Sequence, residues 1–377
     1  MLEKTVKLLD SFLDMGIPGY DCIVLKDGEP IFRRTKGYSN LEDKIPMKGD
    51  ERYNIYSCSK LITCVAALQL YEKGLLSLDD KLSDYIPEYR KMQVRCEGGL
   101  KDAKNPILIR HLFNMTGGFS YNTGSAAIIT AKRETNGRCG TVETARYLAK
   151  DALRFEPGEG WEYSLCHDVL AAVVEVVSGE RFGLYVKKNI FDPLAMNNST
   201  FLLPPEELDS ICEQYTFDTD TKTAKNCGKN IKYYKFGNMY ESGGAGAIST
   251  VEDYIKLLES LRKGDKILKS ETVDLMLKDC MTENLRKYYW YPDYGYGLGV
   301  RSPIPQKGTT DFGWGGAAGS YYAIDRENGI TMYYAQHMLN SPNKQQRYIL
   351  YATVKEDLFG KERSKDFTLD SKLSQFV

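Results

Sequence analysis

Residues 52–89 read RYNIYSCSKLITCVAALQLYEKGLLSLDDKLSDYIPEY. Within this stretch Ser57-Cys58-Ser59-Lys60 opens an apolar run with Leu61, Cys64, Val65 and Leu68 on one side. That spacing predicts a helix over Ser57–Lys73, stopped at Gly74. A separation of three puts the Ser57 hydroxyl and the Lys60 amine on the same face, one turn apart. Packing of that face would take the lysine out of water and disfavour its ammonium form, so it could accept a proton from serine. The helix start also offers backbone N–H groups to a developing oxyanion. A serine nucleophile with a lysine partner needs no histidine. Taken alone, the tetrad reads more simply as an N-capping serine followed by a lysine reaching back to solvent.

The rest of the chain supplies the context. It has 377 residues, enough for two to three domains or one large domain with an insertion. Fifty basic and 51 acidic residues leave a net charge of −1, which argues against a general nucleic-acid binder. Aromatics reach 12%, with 27 tyrosines, so the chain is not a disordered one. The longest near-apolar stretches, Leu61–Leu70 and Leu170–Val177, are too short to span a membrane. Glu3, Asp10 and Asp14 break any apolar run at the N-terminus, so no signal peptide is expected and the expected location is the cytoplasm. Nine scattered cysteines with no CxxC pair fit reduced, mostly buried thiols rather than disulfides or a zinc site.

Val6, Leu9, Phe12 and Leu13 space an amphipathic first helix ending near Gly16-Ile17-Pro18. Tyr20–Lys26 and Pro30–Lys36 flank Asp27-Gly28 and read as a hairpin. From Leu75 to about Leu203 the pattern is mainly helical, as in Ile109–Met115, Val142–Leu153 and Val169–Val177. Asp218–Lys235, with Lys222, Lys225, Lys229, Lys232 and Lys235, reads as a solvated loop or hairpin rather than a binding patch. Gly243–Ala247 precedes Ser249 or Thr250, either of which can cap a helix through Leu261. Tyr296–Arg301, Tyr321–Ile324 and Ile330–Gln336 are candidate strands, the last two joined by a turn at Arg326–Gly329, and a closing helix spans Lys344–Phe359. The order predicts a mixed α/β (α+β) fold: an antiparallel sheet built from both chain ends and flanked by helices, with a helical subdomain inserted. The expected division is one catalytic domain over 1–377, with sheet-bearing parts at 1–74 and 236–377 and a mainly helical part at 75–235.

GxSxG, GxxxxGK[ST] and HExxH are all absent. The three histidines are His111, in an apolar helix-like run, His337, at a strand end, and His167, close after Tyr163. The order S-x-S-K, long helix, then GLLSLDDKLSDYIP resembles the serine β-lactamase and penicillin-binding-protein superfamily, most closely its class C branch with the family VIII carboxylesterases. The resemblance continues through IRHLFNMTGGFSY (109–121), PGEGWEYSLCHDVLAAVVEVVSGERF (157–182), GGAGAISTVEDYIKLL (243–258), YGLGV (296–300) and GWGGAAGSYYAID (313–325), nearly the whole chain in order.

The resemblance implies a β-lactamase/transpeptidase-like fold and the following roles. Ser57 matches the acylated nucleophile and Lys60 its activating partner. Tyr163 matches the tyrosine of the Y-x-N motif, which shuttles a proton between nucleophile, leaving group and water. Trp314-Gly315-Gly316 lines up with the K-T-G strand, its glycines letting substrate approach the strand backbone closely, and the Ala317 N–H would join that of Ser57 as the oxyanion hole. The chain departs from β-lactamases at two places. Leu165 stands for the Asn that bonds a substrate amide, and Trp314 for the cation that attracts a carboxylate. Those changes favour an apolar or aromatic acyl or alcohol group at Trp314 and Leu165. Asp168 reads as the cap of a helix beginning at Val169, and His167 either packs locally or approaches the pocket and tunes Tyr163.

The expected activity is therefore that of a serine hydrolase, an esterase on small or medium acyl esters through a Ser57 acyl-enzyme. The rivals are a β-lactamase or D-Ala-D-Ala-type peptidase, an acyltransferase using the same residues, and a non-catalytic binding module. The last would be marked by loss of Ser57, Lys60 or Tyr163, and all three are present. The expected partner is a small-molecule ester or amide substrate, without metal, organic cofactor, nucleic acid or membrane. Whether Lys60 or Tyr163 is the base stays open at this level, since a coupled pair can share the proton.

Overall fold

The chain folds, in a computed structural model describing residues 2–229 and 236–360, around an eight-stranded antiparallel sheet. Its N-terminal hairpin joins Gly19–Lys26 to Glu29–Asn40. Asp27 and Gly28 both take positive φ, 53° and 94°, as a two-residue turn that follows the right-handed strand twist requires. Gly19–Lys26 then pairs on its other side with Ile330–Gln336, placing Ile23 opposite Tyr333. Beyond it lie Tyr321–Asp325, Phe312–Gly315, Arg301–Ser302 and Gly295–Tyr296, so strands from the two chain ends share one sheet.

Successive strand residues point to opposite faces. Tyr334 meets Phe12 of the Glu3–Asp14 helix with ring centroids 5.7 Å apart. Its neighbour Tyr333 meets Tyr254 of the Val251–Lys263 helix at 4.5 Å. Helices therefore cover both faces, and all seven residues of Ile330–Gln336 are buried. The Val251–Lys263 helix is capped by the Thr250 hydroxyl, which accepts from the Asp253 N–H at 3.0 Å.

A second layer centres on the helix Ser59–Glu72, buried at every position from Ser59 to Leu70. A helix apolar on all sides belongs in an interior. It packs against the helix Cys166–Ser178, and Tyr254 Oη donates to the Cys58 carbonyl at 2.8 Å, tying it to the sheet-covering helix.

Local departures from the expected elements have local causes. Ser57 lies in a 3-10 turn, Tyr56–Cys58, ahead of the helix. Tyr296–Arg301 is a hairpin rather than one strand: Gly299 takes a φ of 88° and Tyr296 pairs back onto Arg301. The closing helix is two, Lys344–Tyr348 and Leu350–Phe359. The mainly helical middle also contains a hairpin, Gln93–Cys96 with Gly99–Asp102. Asp218–Lys235 begins as the end of a hairpin of Gln214–Asp218 with Thr223–Gly228; Lys232 and Lys235 lie outside the described residues. That hairpin pairs in parallel with Met338–Leu339, which brings Thr216 beside Leu339. Among the described residues no helix is long and apolar enough to cross a membrane.

Candidate active site

Tyr56 turns the chain into the buried helix with a left-handed φ of 47°, unusual for a bulky residue. The turn sets Ser57 in the lining of a cavity of about 380 Å³. One turn on, Lys60 is 1% exposed, and its Nζ lies 3.3 Å from Ser57 Oγ and 2.7 Å from the Gly244 carbonyl oxygen. Burial pushes the Lys60 amine down to about 8, against the opposing pull of the Asp168 carboxylate. The amine therefore gives up its proton around pH 8, well below an ordinary lysine, as acceptance of the serine proton requires. It also sits 4.5 Å from the centroid of the Tyr163 ring and 5.3 Å from that of Tyr121.

Tyr163 arrives on the loop before the helix Cys166–Ser178. Glu162 N–H donates to the Met115 carbonyl at 3.2 Å, and Gly158, at a φ of 86°, makes the preceding turn. The Tyr163 hydroxyl accepts from the Trp314 indole N–H at 3.4 Å, and Tyr163 lines the same cavity as Ser57. Burial raises this phenol well above its ordinary value, partly offset by the neighbouring Ser57 and Trp314 side chains. Tyr163 is thus a protonated phenol near neutrality, able to donate, with Lys60 the more available acceptor.

The strand Phe312–Gly315 carries Trp314 into the cavity wall. At its end a Cβ on Gly316 would run into the Ile55 carbonyl oxygen, so only glycine lets this turn close onto the residues that precede Ser57. Gly316 thereby sits behind the cavity, while Gly315 and Ala317 line it. The Ala317 amide donates to no backbone carbonyl among the described residues, which leaves it available to a substrate oxygen.

Besides Gly316, two further expected substrate contacts fall elsewhere. Leu165, 3% exposed, precedes the first turn of the 166–178 helix and faces a separate cavity with Phe119, Ser120 and Leu148. The helix begins three residues after Tyr163, and its opening turn rotates Leu165 away from Ser57. His167 is fully buried, with Nε2 3.0 Å from the Phe113 carbonyl oxygen and 3.6 Å from Cys64 Sγ. Burial and the nearby Lys60 push it down to about 3, so it is a neutral packing residue near neutrality. Asp168 lies within the helix and caps nothing; its Oδ1 accepts from Tyr240 Oη at 2.5 Å and Ser242 Oγ at 2.6 Å.

Other lining residues were not singled out from the sequence: Tyr121, Trp290, Tyr291 and Tyr348, with Thr216, Cys227, Leu339 and Asn340 at the far side. Four consecutive aromatics, Tyr288–Tyr291, are the signal that could have flagged the wall. Trp314 packs against Tyr163, Tyr291 and Tyr296 at 5.7, 5.7 and 5.4 Å, and Tyr121 stacks on Tyr163 at 5.4 Å. None of the described lining residues is a lysine, arginine or histidine. Among the described residues no group of three or more His, Cys, Asp or Glu is placed to hold a metal ion.

A buried Ser-x-x-Lys pair, a facing tyrosine and a glycine-lined strand edge define a serine hydrolase site. The chain belongs to the Beta-lactamase family, whose profile matches residues 6–354. It is similar to Esterase EstB of Burkholderia gladioli, 28% identical over 86% of this chain and 88% of that one. It is also similar to the acyltransferase mokF of Monascus pilosus, 30% identical over 72% of this chain and 68% of that protein. Among solved structures it shares its fold with EstCE1, described as a hydrolase with promiscuous acyltransferase activity. The TM-score is 0.78 at 24% identity, covering 95% of this chain and 98% of that one.

Proposed function

We propose that this protein is an esterase acting on small or medium acyl esters through a Ser57 acyl-enzyme. The observation that carries the reading is the buried Lys60 amine 3.3 Å from Ser57 Oγ, beneath an aromatic-walled cavity of about 380 Å³. Ser57 Oγ bonds to the ester carbonyl carbon while its proton passes to neutral Lys60. The amides of Ser57 and Ala317 hold the oxyanion. The carbonyl–oxygen bond to the alcohol then breaks, and the alcohol leaves with a proton delivered through Tyr163. Water attacks the acyl-enzyme, gives its proton to the same pair, and the acid departs as Ser57 is reprotonated. Tyr163, which lines the cavity with Ser57 and whose ring centroid lies 4.5 Å from Lys60 Nζ, supports the shuttle.

The site would lie between a sheet-bearing part, 1–74 and 236–377, and a mainly helical part, 75–235. In support, Ser57 and Trp314 enter from one side and Tyr121 and Tyr163 from the other. Trp314 in place of a cation supports neutral esters over β-lactams or peptides, whose carboxylate would find no cation among the described lining residues. A cytoplasmic location is part of the proposal, supported by nine cysteines that are all free. Acyl transfer to an alcohol is the second reading, favoured by the likeness to mokF, and uses the same acyl-enzyme with the alcohol in place of water.

The test is hydrolysis of a short-chain p-nitrophenyl ester beside a chromogenic cephalosporin, with wild type and Ser57→Ala. Ester turnover lost in the variant, with little cephalosporin turnover, is the expected result. Rapid cephalosporin turnover would replace the esterase reading by the β-lactamase one. Added alcohol that yields a new ester would establish transfer.

A further inference from the structure

The glycine run 243–247 and the buried Asp168 take no part in the steps above, yet they meet at Lys60. Asp168 is 3% exposed and receives hydroxyl bonds from Tyr240 and Ser242, immediately before the run. The run itself is held by the lysine helix: Lys60 donates to Gly244 O and Thr63 Oγ1 to Gly243 O, each at 2.7 Å. Ala247 N–H donates to Ser59 Oγ at 2.9 Å. A Cβ on Gly244 would overlap Asp168 Oδ2 and come within 3.3 Å of Lys60 Nζ. Carboxylate and amine therefore face each other across a bare α-carbon.

We propose that Asp168 is a positioning residue for Lys60. Its carboxylate pins the 240–244 segment so that the Gly244 carbonyl holds the amine against Ser57, and its charge keeps that amine basic enough to take the serine proton. The assignment rests on the acyl-enzyme reading. The other groups facing Lys60 bring no negative charge near neutrality. Burial raises the thiols of Cys58 and Cys64 on its own segment, that of Cys166, and the Tyr163 phenol. His167 is held neutral, and Tyr121 offers its ring face. Burial pulls the amine down and Asp168 opposes it. Without the carboxylate the amine would be a weaker base, deprotonated at lower pH.

The experiment follows labelling of Ser57 by an alkyl fluorophosphonate from pH 5.5 to 9.5, read by intact mass. In that step the Ser57 Oγ–P bond forms, the P–F bond breaks, fluoride leaves, and the serine proton passes to Lys60 and on to solvent. Asp168→Asn is expected to move the acidic limb of the rate profile down by about half a pH unit or more and to lower the plateau several-fold. Gly244→Ala, whose methyl pushes carboxylate and amine apart, should move the limb in the same direction, and it decides the matter if the Asn variant does not fold. A uniform loss of rate with the limb unmoved, or a limb moved upward, overturns the assignment. If the wild type labels at Ser57 and the limb stays fixed, Asp168 alone is misassigned. If the wild type does not label, the acyl-enzyme reading falls and this inference with it.

Discussion

Replacing Lys60 by methionine converts the buried amine into a stability measurement. The amine's ordinary value is 10.5, and burial brings it to about 8 in the folded chain. Below pH 8 both folded and unfolded chains hold the proton, and the folded state carries the whole penalty, about 3 kcal/mol. As pH rises through 8 the folded chain gives up the proton while the unfolded chain keeps it until about 10.5, so the penalty is withdrawn. Methionine has a similar reach and no charge. The stability of Lys60→Met relative to wild type should therefore fall by roughly 2–3 kcal/mol between pH 7 and pH 10. Loss of the bond to the Gly244 carbonyl subtracts about 1–3 kcal/mol from the variant, equally at every pH in that window. Buried cysteines and tyrosines titrate in both proteins and cancel in the difference. Urea unfolding at pH 7, 8, 9 and 10, analysed by linear extrapolation, measures the gap. A gap that stays constant across that range would falsify the assignment of a depressed Lys60. The variant should also lose esterase activity, so stability at neutral pH and function pull in opposite directions at this residue.

Further expectations concern the reaction itself. In kcat/KM for a p-nitrophenyl ester the acidic limb should bend near pH 8, where Lys60 loses its proton; Lys60→Arg, which cannot deprotonate, should cost about 10²–10⁴-fold. His167→Gln should leave that bend in place, since His167 is held at about 3 and stays neutral throughout; a bend displaced by a full unit would return the histidine to the proton path. Gly316→Ala forces a methyl onto the Ile55 carbonyl and displaces the Ala317 amide. Steady-state kinetics should show kcat down by about 10²–10³ with KM little changed, as for loss of one oxyanion donor. Trp314→Ala removes a side chain that is 5% exposed and packed among aromatic rings. Thermal and urea melts should register a loss of about 2–4 kcal/mol, and KM for short acyl esters should rise.

Much of the site was readable because it is built from short-range geometry. Ser57 and Lys60 are three residues apart at the start of an apolar, helix-patterned run, and burial of that helix is what takes the lysine from water. Asp27-Gly28 likewise fixes its hairpin through two positive φ angles, and Thr250 caps its helix through one hydroxyl. Tyr163, Trp314 and Ala317 are more than a hundred residues from Ser57 and were legible through resemblance, not spacing. Leu165 and His167 show the limit of reading by position along the chain. Two residues after Tyr163 means inside the cavity or behind it according to where the next helix starts, and here it starts at Cys166, with Leu165 facing another cavity.

Local chain chemistry thus settled the helix that carries Lys60 just after Ser57, the hairpin at residues 19–40 and the mixing of strands with helices, because each depends on neighbours within a turn or two. Tertiary structure alone decided which aromatics wall the cavity, that Leu339 and Asn340 lie beside Thr216, and that Asp168 faces Lys60 across Gly244. Those contacts join segments from separate parts of the chain. Their energies come from burial and from bonds made only once the layers have closed, and no spacing in the chain encodes them.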